Sequence, residues 1–393
     1  MISPNDIPSI IKYMGGKREI LNDINKAIQR MGINVDVLCD LFAGTAIVSY
    51  AFSDSFDIVS NDIQKYSSIF VKTYTNTYPK NSKPEKITKE IVNKIEFMTR
   101  QVNNQYPQYK FIYTENMSFE QMIETEAAEQ RLIENEFVHG FHLFKKCYSG
   151  TYWSYEQCKD IDAIRCVAEQ YKETSYFEAI LSALIFSMSY CSQSTGHFAQ
   201  YRTLTKSNYQ DILSYRQKSI LETFEKRFLM LLTELTINKS RKVRVSSLDY
   251  LDCIATLSPN TLVYADPPYS SVHYSRFYHA IETVVRYDNP QVQFKGRYRE
   301  DRYQSPFDQK SKVIKAFELL FKGIKNQRCH LLLSYSDNGM ITVDELRRLA
   351  TRNLGDEYVE DFYSRDYQHR KMGRSDEYIM DVHELLISYR LQE

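Results

Sequence analysis

The chain has 393 residues, 43% of them hydrophobic, which is enough for one large domain or a core with an insert and excludes a wholly disordered polymer. Lysine plus arginine and aspartate plus glutamate each number 50; the resulting zero net charge excludes a general nucleic-acid coat protein but permits an enzyme whose basic residues gather on one face. Seven scattered cysteines without a C-x-x-C pair, and a first segment without an apolar core, point to reduced thiols in a cytoplasmic setting, with no zinc and no secretory leader.

The first element is Ile11 to Arg18. Its Gly15-Gly16 pair lets backbone approach a ligand closely, Tyr13 offers an aromatic face, and Lys17 a positive charge near any carboxylate. Alone, it reads more plainly as a glycine turn opening a basic helix, 18–31. Residues 35–44 then predict a strand (35–40) running into a tight glycine turn, with a helix from about Thr45 to Phe52. The next strand, 56–61, is followed at once by an acid, Asp62, and an acid there can take both hydroxyls of a ribose. With neither G-x-G-x-x-G nor G-x-x-x-x-G-K-[ST] present, a nucleoside without phosphates is preferred over a dinucleotide or triphosphate.

Further helices are expected at 64–74, within 118–138 and at 176–190, and Asn76 to Lys89 reads as a polar surface connection. The most membrane-like stretch, Ala179 to Met188, carries serines and falls short of the ~20 apolar residues a span needs. In Gly196 to Arg202, Gln200 or Arg202 suits a base edge in the major groove, whereas His197 has no acid-base partner in sequence.

Strands are predicted at 242–247 and 260–265. The second ends in Asp266-Pro267-Pro268-Tyr269, where the prolines stop the strand and leave a rigid turn. This turn brings together the Asp266 carboxylate, the Pro267 carbonyl with no N–H to compete, and the Tyr269 ring. Two acceptors and a stacking face suit an amino group held on a flat base, whose nitrogen is a poor nucleophile until its hydrogens are engaged. On the tetrapeptide alone, an ordinary strand-to-loop junction is an equal reading. Lys295 to Tyr303 is basic and aromatic-interleaved. Its arginines, Arg297, Arg299 and Arg302, suit phosphates, although Glu300 and Asp301 make a solvated charged loop an equal reading. Helices at 312–326 and 342–353 and strands at 329–335 and 379–389 complete the pattern, with His369 to Arg374 as a basic loop before the last strand. Alternating strand and helix predicts an α/β fold with a mostly parallel, doubly wound sheet and its site at the carboxyl ends of the strands.

In this order the pieces resemble the Dam-like class of DNA adenine-N6 methyltransferases. The matching stretches are KYMGGKR (12–18), DLFAGT (40–45), ND (61–62), SLD (247–249), DPPY (266–269) and LLLSYSD (331–337). A fainter resemblance, to methyltransferases of restriction systems with asymmetric sites, lies in STGHFAQ (194–200) and KGRYREDRYQSPF (295–307). The resemblance implies a Rossmann-like S-adenosylmethionine-dependent sheet from 1–74 and 242–393, with an inserted, mainly helical target-recognition lobe at 75–241. It places Asp40, Phe42, Ala43 and Gly44 at the methionine part of the cofactor, flanked by Tyr13 and Lys17. Asp62 falls at the ribose, Asp249 at the cofactor's adenine, and Asp266, Pro267 and Tyr269 at a flipped target base. Where this chain has Ala46 the family usually has glycine; either the methyl crowds the cofactor or, the preferred reading, alanine starts the helix better. Asp rather than Asn at 266 tilts the substrate toward adenine in double-stranded DNA. The expected reaction is direct transfer, with no covalent enzyme intermediate and no metal, by a monomer in a prokaryotic or phage-infected cytoplasm, at the nucleoid, beside a cognate restriction endonuclease where one exists. An RNA adenine methyltransferase and a catalytically silent DNA-binding protein of the same fold remain open alternatives.

Overall fold

The computed structural model describes residues 1–11, 16–78, 83–137, 141–194, 196–235, 241–269, 273–370 and 379–392. Its strands in chain order are β1 (Val37–Asp40), β2 (Asp57–Asn61), β3 (Val243–Ser246), β4 (Leu262–Ala265), β5 (Val292–Gln293), β6 (Tyr298–Arg299), β7 (His330–Ser336), β8 (Tyr358–Arg370) and β9 (Ile379–Leu391). All but β5 and β6 form one sheet in the order β3-β2-β1-β4-β7-β9-β8, and β5 and β6 make a small hairpin of their own.

The strands from β3 to β7 in that order are parallel to one another. Their short apolar runs are the signature of strands buried on both faces. Alternation along each strand sends Leu38, Ile58, Leu262 and Leu332 into one hydrophobic cluster and Cys39, Val59, Val263, Leu331 and Leu333 into another. The last two strands run antiparallel, β9 pairing with both β7 and β8. Strand order reverses at β1, which lies between β2 and β4; the crevice at their carboxyl ends is where a doubly wound sheet places its ligand.

The helices are α1 (Leu21–Met31), α2 (Ile47–Phe52), α3 (Lys65–Thr75), α4 (Pro84–Gln105), α5 (Phe119–Gln130), α6 (Leu143–Tyr148), α7 (Tyr155–Glu169), α8 (Tyr176–Cys191), α9 (Tyr209–Arg216), α10 (Ile220–Glu234), α11 (Tyr250–Ala255), α12 (Tyr274–Phe277), α13 (His279–Arg286), α14 (Val313–Asn326) and α15 (Val343–Leu354). α11, α14 and α15 cover one sheet face through residues such as Ile254, Phe317 and Leu346. The other face packs against the intervening helices: Ile161 and Ile164 of α7, Leu181 and Leu184 of α8 and Phe224 of α10 belong to one cluster with Ile58 and Phe70.

Two expectations are corrected here. The expected surface connection Asn76 to Lys89 gives way to α4 from Pro84. Proline suits the first helical position, and Thr88, Ile91, Val92 and Ile95 form a helical stripe that is buried. The expected strands also omitted β8 and the β5–β6 hairpin. No helix among the described residues is long and apolar enough to cross a membrane.

Candidate active site

β1 delivers Asp40 to the crevice, and the turn after it is tied to both neighbouring strands. The Leu41 N–H donates to the Tyr264 carbonyl at 3.0 Å and the Ala43 N–H to the Asn61 carbonyl at 2.9 Å. Asn61 adds four side-chain hydrogen bonds. It donates to the carbonyls of Leu41 (3.3 Å) and Leu248 (3.1 Å) and accepts from the Ser246 hydroxyl (2.8 Å) and the Leu248 N–H (3.0 Å). Asn61 thus fastens the glycine turn to the Ser247-Leu248-Asp249 segment, a role that sequence alone did not assign.

Ala46 lies outside α2 at φ 62°, ψ 16°, in the left-handed region, and so it does not start the helix as expected. That conformation costs an alanine about 1–2 kcal/mol, which explains the usual glycine. Its methyl is fully buried in the hydrophobic cluster with Ile47 and Tyr50. Alanine also cannot cap the helix, and Asp40 does so from β1. Its Oδ2 accepts from the N–H (3.0 Å) and hydroxyl (2.7 Å) of Ser49, the third residue of α2. Asp62 similarly accepts the N–H groups of Gly44 (2.9 Å) and Gln64 (2.8 Å), one on each oxygen. Burial pushes Asp40 up to about 7 and Asp62 up to about 6.

β4 places Asp266 in the same cleft as these acids, where its charge adds to the cost of ionising Asp40. Lys17 approaches Asp266 Oδ1 at 3.0 Å and also pairs with Glu384 of β9, which sequence reading missed entirely. Burial pushes Asp266 up to about 6, with Lys17 pulling against it and Glu384 adding to it. Lys17, expected at the methionine end of a cofactor, lines the same cleft as Asp40 and Gly44 and there holds Asp266 and Glu384. The Tyr269 ring is 5.7 Å from the Lys17 ammonium and stands edge-on to Tyr335 at 6.0 Å; its carbonyl takes the Met340 N–H at 2.9 Å, which fixes the turn.

The opposite wall is aromatic. Phe42 stacks on Tyr250 at 6.0 Å and meets the edge of Phe307 at 5.5 Å. Leu248 and Tyr250 line the cleft on either side of Asp249. Asp249 itself caps α11 through the Leu251 N–H (3.0 Å) and accepts from the Tyr303 hydroxyl (3.1 Å). Ala43, Gly44 and Pro267 also line the cleft, as do Tyr274, Tyr303 and Asp308. Tyr13 lies outside the described residues.

The expected DNA-contacting residues divide. Gln200 is exposed. Arg202 pairs with Asp211, and Arg297 donates its Nε–H to the Cys147 carbonyl at 2.9 Å. Arg302 is half-buried over the Tyr298 ring at 5.6 Å. Arg299, expected at a phosphate, is instead turned inward. Its side chain is 1% exposed and binds both oxygens of Asp288 (2.7 and 2.9 Å) and both of Asp301 (3.1 Å each), so it braces the β5–β6 hairpin and has no free face for a phosphate. The residue this hairpin presents instead is Phe294, 73% exposed, with φ 60°. His197 stacks on Phe277 at 4.2 Å. The basic stretch His369 to Arg374 lies outside the described residues beyond Arg370.

A model of the D12 class N6 adenine-specific DNA methyltransferase family matches residues 13–348. The chain is 25% identical over 356 residues to Modification methylase LlaI of Lactococcus lactis subsp. lactis, covering 89% of this chain and 50% of that protein. It is 26% identical over 351 residues to Type II methyltransferase M.FokI of Planomicrobium okeanokoites, covering 86% and 46%. It is 25% identical over 346 residues to Type II methyltransferase M.NlaIII of Neisseria lactamica, covering 87% and 88%. The chain thus spans about half the length of the first two relatives.

Proposed function

The chain belongs to the D12 class of N6 adenine-specific DNA methyltransferases, and from that premise we propose that it transfers a methyl group from S-adenosylmethionine to the N6 amino group of an adenine flipped out of duplex DNA. The observation that carries the proposal is the meeting of Asp266, Asp40 and Asp62 in one cleft walled by Phe42 and Tyr250. These residues fit the methyl donor. Three carboxyl groups made reluctant to ionise by desolvation, Asp40 buried and Asp62 and Asp266 half-buried, favour a cationic ligand, and an aromatic wall favours a purine. When bound, S-adenosylmethionine supplies an electrophilic methyl on a sulfonium.

The chain's own residues supply orientation. Asp266 and the Pro267 carbonyl accept the two N6 hydrogens, and Tyr269 stacks on the base. The cost of flipping, a few kcal/mol, is met by contacts made to the extruded base and the phosphates. Holding the two reacting groups in line provides much of the acceleration. Asp62 binds the ribose hydroxyls with lone pairs left over from its backbone bonds, and Asp249 reaches the cofactor's adenine from the rim. Gln200, Arg202, Arg297 and Arg302 face DNA, and the stretch 75–241 carries target recognition beside a catalytic part formed by 1–74 and 242–393. Two of the relatives are named Type II methyltransferases, which supports a modification role with a cognate endonuclease as partner; we infer further a monomer acting in the cytoplasm.

The test is transfer of labelled methyl to unmethylated genomic DNA, with Asp266→Ala alongside. Label in N6-methyladenine, lost in the variant while S-adenosylmethionine still binds, is the expected result. Label in RNA alone, or binding without turnover, would overturn it.

A further inference from the structure

The cleft contains a buried cluster with one acid more than an ion pair needs. Lys17, 8% exposed, reaches Asp266 and Glu384 together. Glu384 is 9% exposed and accepts from the Ser334 hydroxyl at 2.9 Å. It comes from an unexpected direction. Because β9 runs antiparallel to β7, Glu384 in its first half pairs with Ser336 at the end of β7, level with the turn after β4. A buried lysine is satisfied by one carboxylate, and a second brings a desolvation cost that calls for a use.

We propose that Glu384 is a positioning residue for methyl transfer: it gives the Lys17 ammonium a second partner, so that Asp266 can accept the proton released by N6. The proposal rests on the adenine-methylation reading above. In the step, the N6 lone pair forms the new carbon–nitrogen bond and the methyl–sulfur bond breaks, its electrons staying on sulfur. One N6–H bond breaks, and its proton forms an O–H bond on Asp266. Before the step, one ammonium and one sulfonium balance two carboxylates. After it, one ammonium balances one carboxylate beside a neutral acid and a thioether. With glutamine at 384 the ammonium would be left against a neutral acid.

Among the described residues, the charged and titratable groups facing Asp266 are Lys17, Glu384, Tyr264 of β4, Tyr269, Tyr274 of α12 and Asp40 of β1. Lys17 draws Asp266 toward ionisation and Glu384 opposes it, so removing the Glu384 charge makes Asp266 a stronger acid and a weaker proton acceptor.

Two measurements on Glu384→Gln test this. In the free protein, the carboxyl carbon resonance of Asp266 should titrate at lower pH than in the wild type. In the transfer assay, the acid limb of kcat should move to lower pH while the plateau falls by about tenfold or more. Should that variant fail to fold, Glu384→Asp keeps the charge but withdraws it by one methylene; the Asp266 titration and the acid limb should then shift to lower pH by less, and the plateau fall by less, than in Glu384→Gln. An unmoved Asp266 titration in folded Glu384→Gln, or an unchanged plateau in Glu384→Asp, overturns the inference. Failure of the wild type to methylate DNA overturns the reading of the activity instead, and the free-protein titration tells the two failures apart.

Discussion

Asp40 is a strand residue doing a helix's work, and its carboxylate is held where ionisation is costly. It caps α2 in place of Ala46 and has its pKa raised from 3.8 to about 7 by burial. In the unfolded chain it loses its proton near 3.8; in the folded chain it keeps it until about 7. Within that window the folded state binds more protons, so this group's contribution to stability falls as pH rises. Asp40→Asn retains an acceptor for Ser49 and removes the titration. The melting temperature of the variant relative to wild type should therefore climb across that window; a constant difference between the two proteins would refute the assignment. Asp40, Asp62 and Asp266 were legible in sequence because each sits at the end of a short apolar strand, where a parallel sheet puts its ligands. Glu384 was not legible, because nothing in a mid-strand acid says which residue of a distant turn it will face. The left-handed backbone of Ala46 was hidden for a similar reason: helix propensity predicts what alanine does inside a helix, and Ala46 is outside it.

At the scale of elements, the β5–β6 hairpin is braced by Arg299, while Arg302, just beyond it, lies half-buried over the Tyr298 ring. Arg299→Ala should lower stability by about 2 kcal/mol, since it breaks a buried guanidinium's bonds to two half-exposed carboxylates. Arg302→Ala should instead weaken DNA binding and reduce the salt slope of affinity by about 1, with little change in melting temperature. The opposite pattern, Arg302→Ala melting early and Arg299→Ala binding poorly at full stability, would show that the two roles are exchanged. A basic, aromatic stretch identifies such a hairpin by composition but cannot tell which arginine turns inward. The elements that sequence revealed well are the interior strands, whose runs such as Leu331-Leu332-Leu333 are apolar on both faces. β8 escaped because it is an edge strand, and the charges along Tyr358-Val359-Glu360-Asp361 are what edges carry to discourage further pairing.

For the whole molecule, the helices between α3 and β3 share a core with the sheet through Ile161, Leu181 and Phe224, so the stretch proposed for target recognition packs into the same hydrophobic cluster as the strands. Heating should give one cooperative transition with equal calorimetric and van't Hoff enthalpies. Two resolved transitions would show that the stretch 75–241 folds by itself. Zero net charge carries a related expectation: attraction to DNA is confined to a local basic surface, and its dependence on salt is modest.

Lys17 and Glu384 lie 367 positions apart and meet across a single hydrogen bond. A ribosome making this chain delivers the lysine among the first residues of the fold and its acid only after β9 has followed β8 out of the exit tunnel. Until then the parallel strands can assemble and the turn after β4 can form, yet the ammonium has only Asp266 to hold. A chain cut short before Glu384 would therefore keep every recognisable motif and have the charge balance of its cleft undone.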